Sequence, residues 1–397
     1  MRHQQQKMSS GLPRILSALL AAWIILPFFG CSSSSYSPPP PPPPGTVNFV
    51  YTANAAGSPS TVSALSSNPT SGVLSPIPGS PYNTTSGSRA VKADPTGKFL
   101  YIENTASGDI SAFSINPTTG ALSPVASSPF SVEAGVIGIA IDPAGAYLYA
   151  VSGSSANLWT FSIDSAGALH NLASSPLPID AAVSGSGALT IDPSGKYLYV
   201  TSDSASATNI YAFTLDSATG IASPIAGAVY PIDLFSNSIT TDPAGKFVIA
   251  VSNGSSTLFG LIAVFTLDST TGKLSAAGTP SHTGSDPSSL TFDPSGKFVY
   301  VANTADATIS AFTLNSASGA LSAVSGSPFP SGGQGTINGP LGIVADAAGK
   351  YIYVCNASND ISVFTFNSQT GVLTVLTGSP FASGGNAPTG IAVVQKK

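Results

Sequence analysis

Four acidic side chains recur at one kind of place in this chain. Glu133, Asp180, Asp233 and Asp286 each stand a few residues ahead of an apolar run, at near-regular spacing. Arg89 holds the comparable place one interval earlier, and His282 shares a segment with Asp286. Carboxylates gathered in this way could hold a hard cation such as calcium through oxygen ligands. With Arg89, Glu133 and His282 as candidate catalytic groups, they could also set a general base beside an oxyanion partner for ester hydrolysis. The plainest alternative is a solvated acidic rim that keeps a charge-poor surface soluble.

Composition removes other chemistries. The chain has 397 residues, of which 8% are charged, against about 25% in an ordinary soluble domain. Ser, Thr, Asn and Gly must therefore carry much of the surface. Thirteen Lys and Arg against 18 Asp and Glu give a net charge of -5, with no basic stripe for a phosphate backbone, which excludes nucleic acid as a partner. Two cysteines and three histidines are too few for a disulfide framework or a Cys- or His-built metal centre, so no such metal site is expected. Cofactors are not required, and calcium is the one ion the acidic residues suit. His170 opens a short outer strand, Cys355 falls within a strand as a packing thiol, and Trp159 is a candidate surface aromatic.

The elements that position these residues are repeats. Asp94-Pro95-Thr96-Gly97 recurs at Asp142, Asp192, Asp242 and Asp293, with a degenerate copy at Asp346-Ala347-Ala348-Gly349. The period is about 50 residues. Asp at i, Pro at i+1 and Gly at i+3 is a turn signature, because Asp caps the turn and Pro presets φ. A β-rich run follows each copy, and a seventh run, Phe49 to Ala53, opens the series without its own turn. Further on, alternating segments such as Ile110 to Phe113 predict a third strand. A turn headed by Asn116, Asp164, Asp216, Asp268, Asn315 or Asn367 then leads to a short fourth. Interchange of Asp and Asn at this turn points to backbone capping rather than charge.

Four short strands repeated seven times predict an all-β, seven-bladed β-propeller. The last apolar run, Thr389 to Val394, matches the strand that precedes each turn elsewhere. It is therefore expected to pair with the N-terminal segment, completing a shared blade and removing two exposed edges.

The period, the Asp-Pro-x-Gly-Lys-Phe/Tyr turn and strands such as Tyr300-Val301-Ala302-Asn303 and Tyr353-Val354-Cys355-Asn356 resemble the lactonase-type, 6-phosphogluconolactonase-like propellers. They also resemble the surface-layer repeats named for Tyr-Val-Thr-Asn. The resemblance spans about Val47 to Val394 and implies the propeller fold and, for an enzyme, hydrolysis of a sugar-acid lactone. That family commonly carries His-Pro-His ahead of a first strand, where this chain reads Ser86-Gly87-Ser88-Arg89. The loop after the following strand, Asn104 to Asp109, keeps only the family's final acid.

The N-terminus reads as an address. Arg2, Lys7 and Arg14 precede an apolar stretch, Ile15 to Phe29, of signal-peptide length. Gly30-Cys31 after it resembles a bacterial lipobox, which would make Cys31 the lipidated residue. Pro38 to Pro44 predict an extended polyproline stalk. The expected organisation is a signal peptide over 1–30, a stalk over 31–45 and the propeller over 46–397. The expected role is an exported, lipid-anchored, monomeric binding module for a protein or carbohydrate at the bacterial cell envelope, as an outer-membrane or periplasmic protein. A divergent lactonase is the alternative.

Overall fold

The structure, a computed structural model, describes residues 47–179, 187–203, 208–232, 236–253, 259–333 and 339–396. The leader, Cys31, the stalk, Asp180 and Asp233 lie outside the described residues.

Each repeat begins with a turn wrapped around its aspartate. Asp94 Oδ1 accepts the amides of Lys98 and Phe99 at 2.7 and 2.6 Å, and Oδ2 accepts the amide of Thr96. Asp142, Asp192, Asp242, Asp293 and Asp346 take up matching amides in their own turns. These carboxylates are therefore occupied by backbone. Asn116 and Asp216 each accept two amides through Oδ1 in the later turn, so either side chain serves there.

The strands form seven antiparallel sheets, each an ordered run of four, with an added two-residue strand in every sheet but one. Blades are numbered here by their second strands: Asn48–Asn54, Phe99–Asn104, Tyr147–Ser152, Tyr197–Asp203, Phe247–Asn253, Phe298–Asn303 and Tyr351–Asn356. The added strand follows Thr279-Pro280 in blade five and a Ser-Pro in the other five sheets, where the third strand loses its neighbour for a few residues. There a serine hydroxyl takes over the exposed amide, as Ser128 Oγ does for Ala112 N at 2.9 Å. Blade four has Ala228-Val229 at that place and runs a continuous outer strand, Ala222–Ile232.

Closure occurs as the repeats predict. The C-terminal strand Pro388–Gln395 pairs antiparallel with Asn48–Asn54, setting Phe49 opposite Val394 and Tyr51 opposite Ala392. The amide of Lys396 then donates to the Val47 carbonyl at 2.8 Å. Both described ends of the propeller thus lie on the face that carries the aspartate turns.

Apolar side chains fill wedges between neighbouring blades. Tyr51, Tyr101, Tyr149, Tyr199 and Tyr300 are fully buried there, and each phenol donates to a turn glycine carbonyl in the next blade. A second seam runs along the turn face. Lys297 Nζ donates to the Gln369 carbonyl of the next blade at 2.8 Å while lying 4.8 Å from the Phe298 ring centroid. Lys246 and Lys350 repeat the arrangement.

Candidate functional site

The inner strands enclose a central cavity of about 850 Å³, and all seven blades contribute to its wall. Most of the lining is small or aliphatic. Its charged residues are Arg89 and Lys92 from blade two and Asp286 at the start of blade six.

Arg89 and Lys92 share the inner strand Ser88–Ala93. Its register against Phe99–Asn104 shifts between Ser88 and Val91. A bulge re-aims side chains, and here both cationic residues of the strand reach the cavity. Lys92 is open to the channel yet has protein around it on every side, and this burial lowers its pKa. Among the described residues no ion pair involves Lys92 or Arg89.

Asp286 lies immediately before the inner strand Pro287–Phe292 at φ 54°, in the left-handed region. Gly87 and Gly135 occupy the same place in blades two and three, at φ 78° and 80°. An aspartate tolerates this conformation better than most residues but still pays a steric cost that glycine avoids. Its Oδ1 accepts from Asn253 Nδ2 at 3.2 Å.

Of the residues singled out in the sequence, the structure thus brings Arg89 and Asp286 to one cavity. Glu133 and His282 lie outside its lining. Burial works against the Glu133 carboxylate. Hydrogen bonds from the Ser155 hydroxyl and the Asn157 amide help to outweigh it and hold the carboxyl below its ordinary pKa, the wrong direction for a base at neutral pH. His282 sits on the outer strand Ser281–His282, paired with Leu261, its ring edge-on to Phe259 with centroids 6.0 Å apart. Among the described residues no group of three or more His, Cys, Asp or Glu side chains is placed to hold a metal ion.

The lesser candidates have structural explanations. His170 is 60% exposed and bonds Asp164 at 3.0 Å. Cys355 is fully buried, and burial pushes its thiol up to about 12, which leaves it inert. Trp159 is half-buried against the wedge between blades two and three, stacked on Phe161.

Two residues escaped the sequence reading, Lys92 in the cavity wall and Glu103 behind it. Glu103 is 0% exposed, at a second-strand position held in the other blades by Ala53, Val151, Thr201, Val251, Ala302 and Cys355. Burial raises its pKa to about 7, against the lowering effects of the Thr105 hydroxyl, the nearby Arg89 charge and the Ala90 amide. The signal was there to find: a carboxylate in a register that is otherwise apolar or small.

A closed ring of seven four-stranded blades around a central cavity defines a seven-bladed β-propeller. The family model described as "Lactonase, 7-bladed beta-propeller" matches residues 46–139 and 234–337. The resemblance read from the repeats is thereby borne out: the fold is a seven-bladed propeller, and over those two stretches the sequence is similar to the lactonase-type family. No curated protein matches the sequence. Among solved structures, a candidate 6-phosphogluconolactonase from Bacteroides uniformis superposes with a TM-score of 0.73 at 20% identity, covering 88% of this chain and 100% of that one. A second such protein, from Bacteroides fragilis, gives 0.70 at 19%, over 88% and 98%. The periplasmic gluconolactonase PpgL of Pseudomonas aeruginosa gives 0.70 at 17%, over 88% and 99%. At these identities the likeness is one of fold.

Proposed function

We propose that this chain is an exported propeller, tethered at the cell envelope through Cys31, whose central cavity binds a small carboxylate-bearing polyol such as a sugar acid. The observation that carries this reading is the placement of Arg89 and Lys92 on one strand, both in the cavity wall and, among the described residues, neither in an ion pair. A guanidinium and an ammonium three residues apart suit a carboxylate, the first by bidentate hydrogen bonding and the second as a point charge. Hydroxyl and amide groups around the wall, among them Thr190, Asn237 and Ser288, suit the ligand's hydroxyls. The leader and the proline run support export and a stalk.

A second reading, hydrolysis of the corresponding lactone, is favoured by Asp286. It is the one carboxylate in the cavity wall among the described residues, and it could activate water against a lactone carbonyl while Arg89 faces the developing oxyanion. The family match and the gluconolactonase among its structural neighbours support the same chemistry.

Calorimetry with gluconate, run beside glucono-δ-lactone hydrolysis, tests both. Binding that is lost in an Arg89→Ala, Lys92→Met variant, without turnover above buffer, upholds the binding module. Turnover that disappears in Asp286→Asn while gluconate still binds establishes the lactonase. Absence of gluconate binding and of turnover overturns both.

A further inference from the structure

Beyond its N-terminal 45 residues this chain contains one arginine, Arg89, and its only two glutamates are Glu103 and Glu133. The fold sets the arginine and one of those glutamates on adjacent strands of blade two, at the cavity mouth. Glu103 itself does not touch the cavity. Its Oε1 accepts from the Thr105 hydroxyl, and its fully buried Oε2 has no hydrogen-bond partner. The Ala90 amide approaches from the inner strand without completing a hydrogen bond to that oxygen. A buried carboxyl oxygen left open in this way is costly, and six sister blades avoid it with a small or apolar residue.

The ionisable groups around Glu103 are few. Arg89 and Lys92 come from the inner strand, and Arg89 is the one whose charge acts on it. From the third strand, Asp109 is engaged by Thr85 and Asn104 at 2.6 and 2.7 Å. Glu133, in the loop packed on Gly108, is held by Ser155 and Asn157.

We infer that Glu103 is a positioning residue that governs how strongly Arg89 engages an anion in the cavity. When Glu103 carries its proton, the guanidinium has no counter-charge on the strand behind it and is more available to a ligand carboxylate. When Glu103 gives that proton to solvent, its negative charge draws on Arg89 from behind and offsets the positive potential at the mouth. Anions are then held tightly in mildly acidic solution and released as pH rises. The raised pKa of Glu103 places the change near neutrality. The inference rests on the reading of Arg89 and Lys92 as a carboxylate site, and its test separates the two.

The test uses purified full-length protein with two readouts. The first needs no ligand: carboxyl ¹³C signals of the two glutamates and the side-chain ¹⁵Nε signal of Arg89 are followed from pH 5 to 9. The Glu103 signal, assigned by its loss in Glu103→Gln, is expected to titrate near neutral pH with the Arg89 signal moving in step. In Glu103→Gln the Arg89 signal should stay flat. The second is gluconate affinity over the same range, expected to weaken by about tenfold in the wild type and to hold its low-pH value in Glu103→Gln. Titration of Glu103 in the ordinary carboxylate range, or an Arg89 signal indifferent to it, overturns the inference whatever gluconate does. So does gluconate affinity with the same pH profile in both proteins. Coupled titration without gluconate binding at any pH overturns the ligand reading instead and leaves the coupling standing.

Discussion

The phenol of Tyr149 donates a 2.9 Å hydrogen bond to the carbonyl of Gly220, one blade further round the ring. Gly220 is at φ 73°, heading into the fourth strand, and the ring of Tyr147 lies directly over it. One turn thus receives a hydrogen bond and an aromatic face from two residues of the preceding blade. Blades one, two, four and six make the same phenol contact, whereas blade five carries Ile249 and makes none.

Tyr149→Phe should destabilise the fold by about 1–2 kcal/mol, because it leaves a buried carbonyl without its donor while keeping the packing. Denaturant unfolding checks this, with an unchanged m-value showing that the blades still unfold together.

Gly220→Ala should cost more than Tyr149→Phe. The added methyl meets both an unfavourable positive φ and the Tyr147 ring. Gly227, also at positive φ but with open space where a Cβ would sit, is the internal control: Gly227→Ala should show the conformational cost alone.

Truncation after residue 387 should lower the melting temperature sharply. It removes the inner strand of blade one, strips the pairing from Asn48–Asn54 and opens the ring. A truncated protein that melts like the full chain would show that closure contributes nothing to stability.

Glu103 predicts a pH dependence of stability with a definite sign. Its pKa is raised on folding from 4.5 to about 7. Its stabilising protonation is therefore fully present below about pH 4.5 and lost as pH rises through 7, a difference of about 3 kcal/mol. Glu103→Gln should melt above the wild type at pH 8, and the gap should close toward pH 5. Parallel melting curves for the two proteins across that range would contradict the assignment.

The repeats made the architecture legible because each turn is built from side chains that bond their own backbone. Asp94 and its copies cap amides two to five residues away, so spacing in sequence reports geometry directly. The closing strand could be read for the same reason: Thr389 to Val394 lacks a following turn and Phe49 to Ala53 lacks a preceding strand. The site was harder, since what matters there is the direction a side chain takes from its strand. His282 and Asp286 are four residues apart, yet one ends an outer strand and the other reaches the central cavity. Glu133 precedes an inner strand as Asp286 does, but neighbouring hydroxyls and an amide capture its carboxylate. Lys92 sits in a strand whose exposed positions face an enclosed channel, which alternation alone does not distinguish from an outer surface. Glu103 stood in plain view within a Tyr-x-x-Asn strand, and the motif's variable position concealed it.

The contact between Lys396 and Val47 has a practical meaning. Inner strands start at the Arg89 mouth and finish on the aspartate-turn face, and it is at this second face that the two ends meet. A support that grips the propeller beside Val47 or Lys396, such as a sensor chip or a bead, leaves the Arg89 mouth unobstructed on the far side. The same geometry makes the first blade the mechanical handle of the molecule: tension at residue 47 falls first on the ladder that joins the beginning of the ring to its end.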